Sequence, residues 1–302
     1  MHEQKPPHAH EESPLNSKYV FLEGRIGRGR YATTFLCDNV TQSPRTRLVV
    51  KVEFPGEEDK LLRWEYDMYR NLKGIPGIPC IHDFLTDVNG SYLFMDPLGP
   101  NMDDILKSCG GQFSQKTTVA VGLQMLDRIE SVHQRGILHR DIKPSNFVTG
   151  GHQARDQIFL LDFGLSAFWK NTETNEHIPH MREEITGPLD YCSINIHEEN
   201  LPSRRDELES LCYMLIYFLK GSLPWQMIEG PEGDWRHNEV GRLKKETLLA
   251  DLCSGIPIRF QVMLEYVREL EYDAQPDYQH LRNLIQGGDL IDPYNHVYDW
   301  AP

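Results

Sequence analysis

The sequence predicts an α+β protein in two parts, and three observations predict it. Runs of β-branched and aromatic residues separated by turn residues fill the first third of the chain. Beyond Pro100 the apolar period becomes helical. Asp206 to Leu219 is almost wholly apolar after its first turn, as a helix at the centre of a large helical part would be.

The elements follow in order. Tyr19 to Ile26 and Thr33 to Asn39 read as strands flanking a glycine-rich tip at Gly27-Arg28-Gly29. After the polar turn Thr41-Gln42-Ser43-Pro44, the run Leu48 to Val52 supplies a third strand. Glu57 to Lys73 has helical character between Pro55-Gly56 and Gly74, and Tyr92 to Met95 is a short apolar strand stopped by Pro97 and Gly99. Thr117 to Gln134 carries Val119, Leu123, Leu126 and Ile129 on one stripe, and Phe260 to Leu270 is a further amphipathic helix. There is no internal repeat. The strand-rich part is expected to give way to the helical part near residues 96–100. Met1 to Lys18, rich in His, Pro and Glu, reads as a disordered, solvated tail in which His2, His8 and His10 could at most hold a metal adventitiously.

Bulk properties narrow the partners. A net charge of −14 argues against nucleic acid or an anionic membrane as the main partner, because phosphates need basic faces. The longest apolar run, Leu211 to Leu219, is about half of what a membrane crossing needs. The six cysteines are scattered, with no C-x-x-C pair and no His/Cys cluster at zinc-ligand spacing, which suits reduced thiols. The expectation is a cytoplasmic protein, also nuclear, and a monomer.

Three segments carry chemistry. Gly27-x-Gly29-x-x-Ala32 is weak alone, since such a motif also closes Rossmann strand–helix turns or ordinary hairpins. Here Thr33 to Leu36 continues as a strand, which favours a glycine hairpin arching over phosphates. Lys51 ends an apolar strand, and Glu65 stands fourteen positions later among Leu61, Leu62, Trp64, Met68 and Tyr69. A carboxylate in that setting needs a cation, and Lys51 would place its ammonium over the α- and β-phosphates of a nucleotide. Third comes His139-Arg140-Asp141-Ile142-Lys143-Pro144-Ser145-Asn146, followed 21 residues after Asp141 by Asp162-Phe163-Gly164. These segments are similar to the catalytic loop and the D-F-G metal motif of protein kinases. In that reading Asp141 accepts the substrate hydroxyl proton, Lys143 neutralises charge on the transferred group, and Asn146 and Asp162 ligate Mg²⁺ or Mn²⁺.

From Tyr19 to Trp300 the chain resembles the casein kinase 1 group of serine/threonine protein kinases. The carrying segments are Gly77-Ile78-Pro79, Leu98-Gly99-Pro100, Ser193-Ile194-Asn195 in place of A-P-E, Ser203 to Ser210, Gly221 to Gln226, Pro276-Asp277-Tyr278 and Val297 to Trp300. Lys143 to Phe147 also resembles the tau-tubulin kinase branch. The resemblance implies a bilobal protein kinase fold. Residues 19–97 would form a small antiparallel sheet lobe with one key helix, and residues 98–302 a mainly helical lobe. It implies ATP as cofactor, protein substrates, and activity without activation-loop phosphorylation. Carried over by position, Ile26, Gly27, Gly29, Ala32, Thr34, Val49, Lys51, Glu65, Met95, Asp96, Leu98, Val148 and Leu161 would surround ATP. Met95 would be the gatekeeper, and the Leu98 backbone would pair with adenine. Pro97 lacks an N–H, but adenine does not use that one. Asp206 would brace the catalytic loop.

Departures from the pattern matter. Ala32 replaces a glycine, Thr34 an aliphatic residue over adenine and Val49 an alanine; together they would weaken ATP binding by roughly 1 kcal/mol. Asp190 in Thr186-Gly187-Pro188-Leu189-Asp190-Tyr191 stands where the group has an arginine that helps bind phosphorylated or acidic substrates, and Ile228 to Asn238 is acidic too. Either the enzyme lacks that preference, or Asp190 merely pairs with an arginine such as Arg182. A catalytically impaired scaffold is the alternative function, with the glycine-loop departures as its only support. A dinucleotide-dependent oxidoreductase would need a helix after Ala32 and an acidic residue on a following parallel strand; neither is present.

Overall fold

A computed structural model of the chain describes residues 14–28, 32–55, 61–151, 154–231, 233–288 and 291–301. It divides into two compact units, Met1–Leu98 and Gly99–Pro302.

The first unit is a five-stranded antiparallel sheet with one long helix. Its elements are α1 (Pro14–Lys18), β1 (Tyr19–Arg28), β2 (Thr33–Asn39), β3 (Thr46–Glu53), α2 (Leu61–Asn71), β4 (Ile81–Asp87) and β5 (Gly90–Met95), with strand order β1-β2-β3-β5-β4. Strand alternation sorts the side chains between two faces. One face buries Phe35, Cys37, Leu48, Val50, Val52, Tyr92 and Phe94, together with Leu15 and Tyr19. Tyr19 stacks on Phe94 with ring centroids 3.8 Å apart. The other face is set by register: Thr34 pairs with Lys51 and Lys51 with Leu93, while Leu36 pairs with Val49 and Val49 with Met95. The lysine and the apolar residues assigned to ATP therefore line one face.

One expectation is corrected here and another is tested only in part. The solvated tail does not extend to Lys18: Pro14–Lys18 is helical, Leu15 is 2% exposed in the core, and Lys18 pairs with Asp83 at 2.6 Å. Burying one leucine contributes about 1.5–3 kcal/mol toward ordering this turn, with the Lys18–Asp83 pair holding its other end. The helix predicted from Glu57 is described from Leu61; residues 56–60, like 1–13, lie outside the described residues.

The second unit is mainly helical. It comprises α3 (Met102–Ser108), α4 (Gln115–Gln134), β6 (Ile137–Leu138), β7 (Phe147–Thr149), β8 (Ile158–Leu160), β9 (Ala167–Phe168), α5 (Ile194–His197), α6 (Arg204–Lys220), α7 (Asp234–Glu246), α8 (Leu249–Leu252), α9 (Arg259–Glu269) and α10 (Tyr278–Gln286). Helix α6 is the hub, packed on α4 and α9. A capping box starts it: Asp206 Oδ2 accepts from the Ser203 N–H at 2.7 Å. Gly221 ends it in the left-handed region at φ 77°, where a Cβ would lie 2.8 Å from the Gly111 carbonyl. Helices α4 and α6 approach closely at Gly122, whose added Cβ would sit 2.8 Å from a Leu215 methyl. The stripe Val119, Leu123, Leu126 and Ile129 is buried as predicted. The chain end docks on the start of α4: Ser114 gives its N–H and hydroxyl to Asp299, and Trp300 stacks on Tyr298.

Among the described residues no helix is long and apolar enough to cross a membrane.

Candidate active site

In the first unit, β3 and α2 bring Lys51 Nζ to 2.7 Å from Glu65 Oε2. Glu65 is 2% exposed. Burial makes such a pair worth little to stability by itself, because desolvation offsets the attraction. Its consequence is positional: the ammonium is held on the face shared by Thr34, Val49 and Met95. Gly27 pairs with Thr34 across the β1–β2 hairpin, and Ile26 is exposed beside it. Ala32 is buried, and Gly29 lies outside the described residues. Met95 is buried at the end of β5, whereas Asp96 and Leu98 are half-exposed. Asp96 Oδ1 lies 2.5 Å from His82 Nε2, a partner the sequence reading did not supply.

In the second unit, β6 leads into a loop that closes on itself. Asp141 Oδ2 accepts from Lys143 Nζ at 2.6 Å and from Asn146 Nδ2 at 2.9 Å. Asn146 Nδ2 also donates to the Asp141 carbonyl at 2.8 Å. The Asn146 amide nitrogen is thus committed to Asp141, which leaves the Asn146 Oδ1 as a hard oxygen ligand. That donor type, with the Asp162 carboxylate, fits a small divalent cation such as Mg²⁺. Beneath the loop, His139 Nδ1 accepts from the Asp141 N–H, so its Nε2–H donates to the Leu161 carbonyl at 2.7 Å. This ties the catalytic loop to the residue preceding Asp162. Val148 lies in the middle of β7, paired with Phe159, and Leu161 directly follows β8, its N–H donating to the Asn146 carbonyl.

Two residues here adopt left-handed backbone: Arg140 at φ 67° and Asp162 at φ 69°. Each costs on the order of 1–2 kcal/mol and persists only where neighbours over-determine it. For Asp162 the neighbour is Phe163, fully buried against the His139 ring. For Arg140 it is Glu207, whose Oε1 accepts the Arg140 N–H at 2.5 Å. Glu207 Oε2 in turn meets His133 Nε2 at 2.7 Å, and His133 Nδ1 meets the Tyr278 hydroxyl. Burial pushes the Glu207 pKa up, but the hydrogen bonds from His133 and the Arg140 N–H, with two imidazoles nearby, outweigh it and hold it below the ordinary glutamate value.

The expected brace is therefore corrected by one residue. Asp206 does not hold the catalytic loop; its carboxylate caps α6 and accepts from Ser193 Oγ and Asn195 Nδ2. Successive helix residues differ by about 100°, so neighbouring carboxylates serve different walls. The Arg140 guanidinium pairs with Glu183 at 2.7 Å, which no sequence motif indicated.

Asp190 pairs with Arg236 at 3.4 Å; Arg182 instead faces Glu199. Burial raises the Asp190 pKa, opposed by Arg236 and Lys244. Lys244, fully buried, donates to the Leu189 and Cys192 carbonyls and so pins the loop that carries Asp190.

The protein kinase domain family matches residues 21–250. The chain belongs to the protein kinase family. Within it, the casein kinase 1 resemblance is borne out. Casein kinase I homolog 2 of Schizosaccharomyces pombe is 35% identical over 283 residues, 91% of this chain and 64% of the relative. Casein kinase I homolog 3 of the same yeast is 36% identical over 92% of this chain and 64% of its own length. Casein kinase I homolog 1 of Saccharomyces cerevisiae is 34% identical over 96% and 54%. This kinase domain thus spans somewhat over half the length of these curated relatives.

Proposed function

We propose that this kinase domain transfers the γ-phosphoryl group of ATP to serine or threonine hydroxyls of proteins. The observation that carries the reading is the Asp141–Lys143–Asn146 network, with the Lys51–Glu65 pair held independently. Asp141, anchored by two donors on one oxygen, turns its carboxylate to accept a hydrogen bond from the substrate hydroxyl. It takes that proton as the oxygen bonds to phosphorus. Lys143, half-exposed, compensates charge on the transferred group. Lys51 orients the α- and β-phosphates, and Asn146 and Asp162 would hold Mg²⁺ or Mn²⁺, which neutralises charge on the phosphates when bound.

The reading includes two finer points. Activity needs no activation-loop phosphorylation, because the Arg140 guanidinium, a natural donor to a phosphate, already pairs with Glu183. Substrates need no upstream phosphate, because the Arg236 charge faces Asp190 within the protein. The six free cysteines support a reducing, cytoplasmic setting.

The test is radiolabelled ATP with Mg²⁺ and three serine peptides: neutral, basic, and one phosphorylated three positions upstream. Comparable labelling of all three is expected. Several-fold stimulation by the upstream phosphate contradicts the substrate reading, and no labelling of any peptide supports the scaffold alternative.

A further inference from the structure

Three side chains converge at one end of the first unit's sheet, one of them that of Asp96, a residue the resemblance places beside ATP. Cys80 leads into β4, His82 lies within it and Asp96 follows β5. Ile81 pairs with Met95 in the antiparallel ladder, so Cys80 and Asp96 continue that ladder by one residue on each strand. The register is irregular between Ile81 and Asp83, which puts His82 at a bulge, a device that re-aims a side chain. Here it brings His82 Nε2 to 2.5 Å from Asp96 Oδ1. One ligand atom from each of Cys80, His82 and Asp96 lies within 4.8 Å of the others.

A tetrahedral zinc ion with bonds of about 2.3 Å to sulfur and about 2.0–2.2 Å to nitrogen or oxygen sets its ligand atoms roughly 3.4–3.6 Å apart. The trio, within 4.8 Å of one another, is at its widest no more than about 1.4 Å beyond that spacing, while His82 Nε2 and Asp96 Oδ1 at 2.5 Å lie inside it. Cys80 and His82 are exposed and Asp96 half-exposed, so rotation of side chains closes the difference without moving the ladder. The donor set decides the ion. Thiolate, imidazole and one carboxylate select a borderline-soft ion, whereas the oxygen pair of Asn146 and Asp162 suits a hard one.

We propose that Cys80, His82 and Asp96 bind one divalent transition-metal ion of the zinc class, with water in the fourth position. On binding, the Cys80 thiol loses its proton to solvent, and the His82–Asp96 hydrogen bond is exchanged for coordination to a shared ion. The ion staples the start of β4 to the segment after β5. The proposal does not rest on the kinase reading.

The test uses the full chain with His2→Ala, His8→Ala and His10→Ala, which removes the imidazoles of the N-terminal segment as competitors. Co²⁺ titration followed by absorbance, with Zn²⁺ displacement, reads the site directly. Expected are one ion per chain, a thiolate-to-cobalt charge-transfer band, and a melting temperature raised by Zn²⁺ but not by equal Mg²⁺. Cys80→Ser abolishes the band and weakens binding at least about tenfold. His82→Gln also weakens binding, while Cys109→Ser changes nothing. Absence of a saturable single site, or a band that survives Cys80→Ser, overturns the proposal.

Discussion

The two units secure their functional side chains by different means. In the first, the pair between Lys51 and Glu65 and the register of the sheet together place the cation. In the second, Asp141 is held by Lys143, by Asn146 and through its own N–H by His139, while Arg140 is held at both its backbone and its guanidinium. The first arrangement is a hinge pin, the second a truss. The lesson is that one substitution should disable the first locally, whereas in the second the damage should spread to folding, because the same buried groups serve both.

Glu207→Ala should produce the largest effect on stability. It strands the His133 Nε2 and Arg140 N–H groups in a buried site, a loss of about 3–5 kcal/mol measurable by chemical denaturation. The pH dependence has a definite sign. Because the folded Glu207 pKa lies below its unfolded value, its contribution is complete above the ordinary glutamate range. It is lost as pH falls through the depressed folded value. Denaturation midpoints measured at falling acidic pH should drop for the parent and drop less for Glu207→Gln. A parallel decline would break the truss comparison.

Leu15→Ala comes next. It should cost about 2–4 kcal/mol, seen as a lower unfolding midpoint, because Leu15 is buried against the sheet core. Unchanged stability would return residues 14–18 to the solvated tail. Glu65→Gln sharpens the contrast with Glu207. It keeps a hydrogen-bond acceptor near Lys51 but removes the charge, so kcat/KM should fall by about 10–100-fold, roughly 1.4–2.7 kcal/mol. The unfolding midpoint should fall by less than in Glu207→Ala, because Lys51 is partly exposed and keeps a neutral acceptor. The smallest effect is expected from Asp190→Arg. Two guanidiniums, at 190 and 236, would then face the loop, and labelling of an upstream-phosphorylated peptide should rise a few-fold over its unphosphorylated form.

Much of this was legible in the residues. β2 runs over Thr33–Asn39 as its alternation predicts, α6 differs from its predicted span by two residues at the start and one at the end, and Lys51 meets Glu65 as their setting required. What was missed has physical causes. β4 has no fully buried residue, so Ile81–Asp87 shows no apolar alternation, and it is a strand because its neighbour pairs with it. Glu207 and Asp206 are adjacent carboxylates in one motif, and only the helix's rotation tells them apart. Arg236 reaches Asp190 from 46 positions away, and Asp96 joins Cys80 and His82 from the next strand. Spacing rules that search one segment at a time do not see such meetings.

The central claim is that Asp141 is the proton acceptor in phosphoryl transfer from ATP. Its most direct test is the rate of labelled phosphate incorporation into a serine peptide by the parent and by Asp141→Asn, with Mg²⁺ present and folding matched by circular dichroism. The account predicts transfer by the parent and a fall in kcat of about 10²–10⁴-fold in the variant. Equal rates in the two proteins would contradict it.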